Sequence, residues 1–151
     1  MSTTNTTWFY IKSKLNGDVI DITGSNTAPA THLISYPQNN PASSNQQWTL
    51  VPAGGGYFYI KSRLDGDVID ITGSNPAPVT QLIAYPQNVP ASDNQLWYFQ
   101  PVGGGFFYIR SKLNDFVIDI KGSDTAPVTP LISYPQNVPA SDNQLWELVP
   151  V

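Results

Sequence analysis

The sequence predicts an all-β fold closed upon itself with threefold pseudosymmetry. Three observations carry that expectation. Trp8, Tyr57 and Phe106 open equivalent units 49 residues apart, and Trp48, Trp97 and Trp146 keep the same spacing without an insertion. Within each unit apolar and polar residues alternate with period two, the signature of a strand. Proline and glycine recur too closely for any helix to run through.

The elements follow in order along the first copy. "FYIKSKL" (9–15) alternates Phe9, Ile11, Ser13 and Leu15 against Tyr10, Lys12 and Lys14, and predicts a strand with the first set inward. "DVIDITG" (18–24) sets Ile20 and Ile22 on one face and Val19, Asp21 and Thr23 on the other. "THLISYP" (31–37) is the third strand. "NQQWTLVP" (45–52) is the fourth, with Pro52 expected to end it. "LNGD", "GSNTAP" and "PQNNPAS" supply turn chemistry between them. The repeats run 8–56, 57–105 and 106–151, joined by "PAGGG" (52–56) and "PVGGG" (101–105), in one domain spanning 1–151.

A repeat of this length also occurs in propellers and solenoids. Propellers need about four blades or more, and solenoids need atypical capping repeats. Three equal copies without caps suit closure, which removes exposed strand edges. Twelve short strands in three equal groups describe a β-trefoil.

Composition narrows the function. Charged residues make up 12 % of the chain, about half the usual share, and the net charge is −4. That balance argues against nucleic acid, which needs a basic patch. The chain has no cysteine, hence no disulfide framework or thiolate metal site. The N-terminus lacks a signal-peptide pattern and no apolar run is long enough to span a membrane, so a cytoplasmic home is expected, with release by a non-classical route left open. His32 is the only histidine and Glu147 the only glutamate, and no nucleophile–base or carboxylate pair is legible; no enzyme, cofactor or metal is expected. "DGDVID" (65–70) faintly suggests a calcium loop, but lacks its closing acid.

Each copy ends in Gln-x-Trp ("QQW", "QLW", "QLW"), with "IDI" upstream and an aromatic between. In a threefold four-strand repeat this pattern resembles the ricin-B-like, or R-type, β-trefoil lectins, and the match covers essentially the whole chain. The short cysteine-free sequence and phrases such as "IDITGSNPAP" look most like lectins of mushroom fruiting bodies. The resemblance implies up to three sugar sites, non-catalytic and multivalent, for galactose or N-acetylgalactosamine glycans on glycoproteins or glycolipids. It implies that Asp21, Asp70 and Asp119 accept hydrogen bonds from sugar hydroxyls. It implies that Tyr36, Tyr85 and Tyr134 stack on the ring, and that Asn45, Asn94 and Asn143 with Gln46, Gln95 and Gln144 complete the polar set. Ile34, Ile83 and Ile132 stand where many members carry a polar residue, which bears on sugar preference.

The residues support such a site on their own chemistry. A carboxylate accepts two hydroxyl donors, an aromatic face takes a C–H patch, and an amide both donates and accepts. Plainer roles stand beside these. Asp21 could anchor the "TGS" turn, Asn45 could cap the "PAS" turn, and Gln46 could merely orient the loop. Trp48, Trp97 and Trp146 read as core. Lys12, Lys61 and Arg110 read as a solvated face, and Asn39, Asn88 and Asn137 could reach a second sugar. Variation at His32/Gln81/Pro130, Asn40/Val89/Val138 and Ser44/Asp93/Asp142 leads to an expectation of unequal sites, the first most distinct. Two other readings stay open: a β-trefoil protease inhibitor, disfavoured because no loop stands apart, and a ligand-free symmetric scaffold, natural or designed. A homodimer is also compatible with the sequence.

Overall fold

The period-two pattern of each copy materialises as four strands, and the strands of different copies pair until the sheet closes. The computed structural model describes residues 6–151. The first copy contributes β1 (Phe9–Ser13), β2 (Val19–Ile22), β3 (Thr31–Tyr36) and β4 (Trp48–Gly54). The second contributes β5 (Tyr57–Ser62), β6 (Val68–Ile71), β7 (Thr80–Tyr85) and β8 (Trp97–Gly103). The third contributes β9 (Phe106–Ser111), β10 (Val117–Ile120), β11 (Thr129–Tyr134) and β12 (Trp146–Pro150).

Six of these strands form a closed antiparallel ring, β1–β4–β5–β8–β9–β12, sealed by β1 against β12 with Phe9 opposite Pro150 and Ser13 opposite Trp146. The other six form three hairpins, β2–β3, β6–β7 and β10–β11. Strands β3, β7 and β11 meet pairwise, so the hairpins close one end of the barrel as a triangular cap. A six-stranded barrel with a three-hairpin cap is the β-trefoil.

Trp48, Trp97 and Trp146 are core residues, no more than 1 % exposed. Each indole Nε1 donates to a β2-type carbonyl, Trp48 to Ile20, Trp97 to Ile69 and Trp146 to Ile118, all at 3.0 Å. The fourth strand of each copy is thereby tied to its second. Ile11, Ile22, Leu33 and their counterparts pack around them.

Three local expectations change. Tyr10, expected outward, is buried at 6 %, with its hydroxyl within reach of Gln47 Nε2. Every residue of "VIDI" is buried, because the hairpin is covered on both faces. Pro52 does not end β4; it pairs opposite Phe58, and the strand runs on through an irregularity to Gly54. The register shift beside the proline accommodates the missing N–H. The "GGG" segment is therefore a hairpin turn between paired strands, with Gly54, Gly55 and Gly56 all at positive φ, and not a free linker.

The variation among His32, Gln81 and Pro130 also has a structural cause. Gln81 Nε2 lies against the carbonyls of Leu33, Leu82 and Leu131 at 3.2, 2.7 and 3.1 Å. Those three carbonyls are equivalents in the three copies, so the amide sits on the pseudo-threefold axis. Only one side chain fits there, and the symmetry must break at this position.

Candidate functional site

A short 3-10 turn after β2 and another before β4 bring the expected residues together. The turn Ser44–Gln46 carries Asn45 and Gln46, and both face back toward β2. Gln46 Nε2 donates to Asp21 Oδ2 at 2.8 Å and to the Pro37 carbonyl at 2.9 Å, and its Oε1 accepts from the Asn39 N–H at 2.8 Å. All of its donors are spent and its side chain is fully buried. The glutamine ties the carboxylate to the loop of residues 37–39. Gln95 and Gln144 make the same three bonds in their copies.

Asp21 is thus anchored by Gln46, and the "TGS" turn (Thr23–Ser25) instead closes on itself through the Asn26 N–H to the Thr23 carbonyl. Oδ2 is engaged by the glutamine, and the Asn45 amide beside the carboxylate also favours its charged form. Asn45 does not cap the "PAS" turn either. Its Nδ2 donates to the Ile22 carbonyl at 3.1 Å, which fixes the amide's orientation, and its Oδ1 is buried without a partner. Asn94 and Asn143 repeat both features. A buried acceptor left unpaired is costly and rare.

In the first copy Asp21, Ile34, Tyr36, Asn39 and Asn45 line one cavity of about 290 Å³, with the turn Thr23–Ser25 at its rim. In the third, Asp119, Ile132, Tyr134, Asn137 and Asn143 line a cavity of about 400 Å³. These volumes lie at the small end for ligand pockets. The tyrosines are half-exposed, Tyr85 at 37 %. Ile34 and Ile132 make part of each wall apolar. Burial pushes the Asp21 and Asp119 carboxyls up to about 6, and moves Asp70 the same way, while the neighbouring Gln and Asn amides pull against it.

Three contributors were not legible as site residues. The Thr23–Ser25 turn lines the first cavity, and Gly24 holds φ 62 there. Lys121 lines the third cavity where the first has Thr23. Thr23 and Thr72 donate Oγ1 to the carbonyls of His32 and Gln81 at 2.7 Å, a bond that Lys121 does not make. Val128 lines the first cavity and Val79 the third, each reaching in from a different copy.

The family model of the ricin-type β-trefoil lectin domain-like proteins matches the chain over residues 1–85, 44–134 and 93–151, one overlapping match after another across its length. The chain belongs to this family. No curated protein sequence matches the chain significantly. Among solved structures, this ricin-type chain is similar to 1,3Gal43A, an exo-β-1,3-galactanase from Clostridium thermocellum. The TM-score there is 0.91 at 28 % identity, covering 99 % of this chain but only 31 % of that one. It is similar to the C-terminal half of an earthworm R-type lectin in complex with GalNAc, with a TM-score of 0.72 at 27 % identity over 96 % of this chain and 99 % of that one. The ricin B-like lectin of the mushroom Macrolepiota procera, in complex with lactose, shares the fold at a TM-score of 0.77, with 24 % identity over 99 % of both chains.

Proposed function

We propose that the protein is a non-catalytic lectin with three sugar sites, one per repeat, for galactose or N-acetylgalactosamine glycans. The observation that carries this reading is the first cavity. An anchored carboxylate, a half-exposed tyrosine and a buried asparagine line one space suited to one sugar residue. In this reading Asp21, Asp70 and Asp119 take two sugar hydroxyls. Tyr36, Tyr85 and Tyr134 receive the C–H face, and the amides of Asn45, Asn94 and Asn143 complete the polar set beside the carboxylates. Gln46, Gln95 and Gln144 hold the carboxylates in place without touching the sugar.

The earthworm and mushroom lectins, in complex with GalNAc and lactose, support the choice of sugar class. This chain spans under a third of the galactanase, so that enzyme's activity is not carried over to it. Single sites of this size bind on the order of millimolar, and three on one rigid body gain avidity on a surface rich in glycans. The test is agglutination of erythrocytes together with a glycan array. Agglutination reversed by free galactose or N-acetylgalactosamine supports the reading; an array without a single bound glycan overturns it.

A further inference from the structure

Val79 and Val128 occupy a backbone conformation that β-branched residues avoid. Both sit at φ 66, in the left-handed region, where Cβ crowds the following carbonyl. Packing does not explain the choice of valine, because the side chains are 47 % and 54 % exposed. The loop itself is pinned across the repeat boundary. The Val128 N–H donates to the Ser35 carbonyl of the first copy at 3.1 Å, and the Val79 N–H to the Ser133 carbonyl of the third at 3.0 Å. Each valine is therefore held over the cavity of another repeat: Val128 over Asp21 and Tyr36, Val79 over Asp119 and Tyr134. The equivalent in the first copy is Ala30, also at φ 66, whose N–H donates to the Ala84 carbonyl of the second at 3.0 Å. The second site thus has alanine where the other two have valine.

We propose that Val128 and Val79 are specificity-determining residues of the first and third sites, acting across the repeat boundary on the apolar edge of a bound sugar. This rests on the sugar-binding reading above. The strain has no packing return at these exposed valines, and both line the space that a sugar would fill. Each complete site then spans two repeats, and the odd site of the three is the second, not the first.

The test is a site-resolved NMR titration with N-acetylgalactosamine, using the side-chain amides of Asn45, Asn94 and Asn143 as reporters. Val128→Ala weakens the first site about fourfold, the equivalent of roughly one buried methylene, and leaves the third site, in its own repeat, unchanged. Ala30→Val strengthens the second site by a similar factor. Alanine is native at position 30, so these exchanges keep the fold, and the unfolding midpoint of Val128→Ala does not fall. Binding unchanged at the first site overturns the proposal while the lectin reading stands. So does an equal loss at all three sites with a lowered midpoint, which marks a merely structural role. No binding by the unaltered protein at any site overturns the lectin reading and this inference with it.

Discussion

Gln46 Nε2 donates to Asp21 Oδ2 across 2.8 Å, joining residues from opposite ends of the first repeat, and the bond recurs as Gln95–Asp70 and Gln144–Asp119. It gives the Gln-x-Trp pattern a structural role, with both named side chains buried. The tryptophan fixes the fourth strand to the second, and the glutamine aims the carboxylate. Asp21→Asn and Gln46→Ala should therefore behave differently. The asparagine still accepts from Gln46 but forfeits a charged hydrogen bond to sugar, a loss of about 1.5–3 kcal/mol of binding, with no loss of stability. Gln46→Ala strips the partner from a buried carboxylate and lowers both stability, by about 1–3 kcal/mol, and affinity. Urea denaturation beside calorimetric titration separates the two.

Acidity should move stability and binding in opposite directions. The Asp21 and Asp119 carboxyls are raised by burial to about 6, as is Asp67 by burial with a push from Asp65, and Asp70 and Asp18 shift the same way. The folded state then binds protons more tightly than the unfolded chain. This contribution is most favourable below the ordinary value of 3.8 and declines as pH rises through about 6. Sugar binding favours the ionised form, so affinity falls by up to about tenfold at one pH unit below that value. Melting curves and titrations from pH 4 to 8 check both trends; affinity that rises on acidification contradicts the assigned role of the carboxylates.

The axial glutamine offers a test confined to the fold. Gln81→Ala leaves the carbonyls of Leu33, Leu82 and Leu131 facing one another without a donor. The expected cost is about 1–3 kcal/mol, read by chemical denaturation, while binding per folded molecule stays constant.

Lys121→Thr should stabilise the protein. Threonine at the two equivalent positions bonds a carbonyl of the following strand, and restoring that bond to Pro130 adds about 0.5–1.5 kcal/mol. Denaturation midpoints of the variant and the parent protein measure it.

Much of this architecture was legible in the residues, for identifiable reasons. Trp48, Trp97 and Trp146 read as core because apolar alternation flanks them, and the unbroken spacing implied closure before any strand pairing was known. Asp21, Tyr36 and Asn45 converge on one cavity because their backbone positions follow from the strand pattern. What escaped depends on contacts between copies or on covered faces. Tyr10 looked outward because alternation assumes one wet face. Pro52 looked like a strand end because a bulge leaves no mark in composition. The exchange of His32, Gln81 and Pro130 looked like tuning of three sites, and the axis on which Gln81 lies exists only once the copies assemble. Val128 beside Asp21 escaped for the same reason. Gln46 stood undecided between ligand and loop, and only the direction of its three hydrogen bonds separates the two.

The central claim is that the anchored carboxylates hold the sugar. Calorimetric titration of N-acetylgalactosamine into the parent protein and into the triple variant Asp21→Asn, Asp70→Asn, Asp119→Asn tests it most directly. The account predicts three sites per chain in the parent and no measurable binding in the variant, whose unfolding midpoint is not lowered. Binding by the triple variant at undiminished affinity contradicts it.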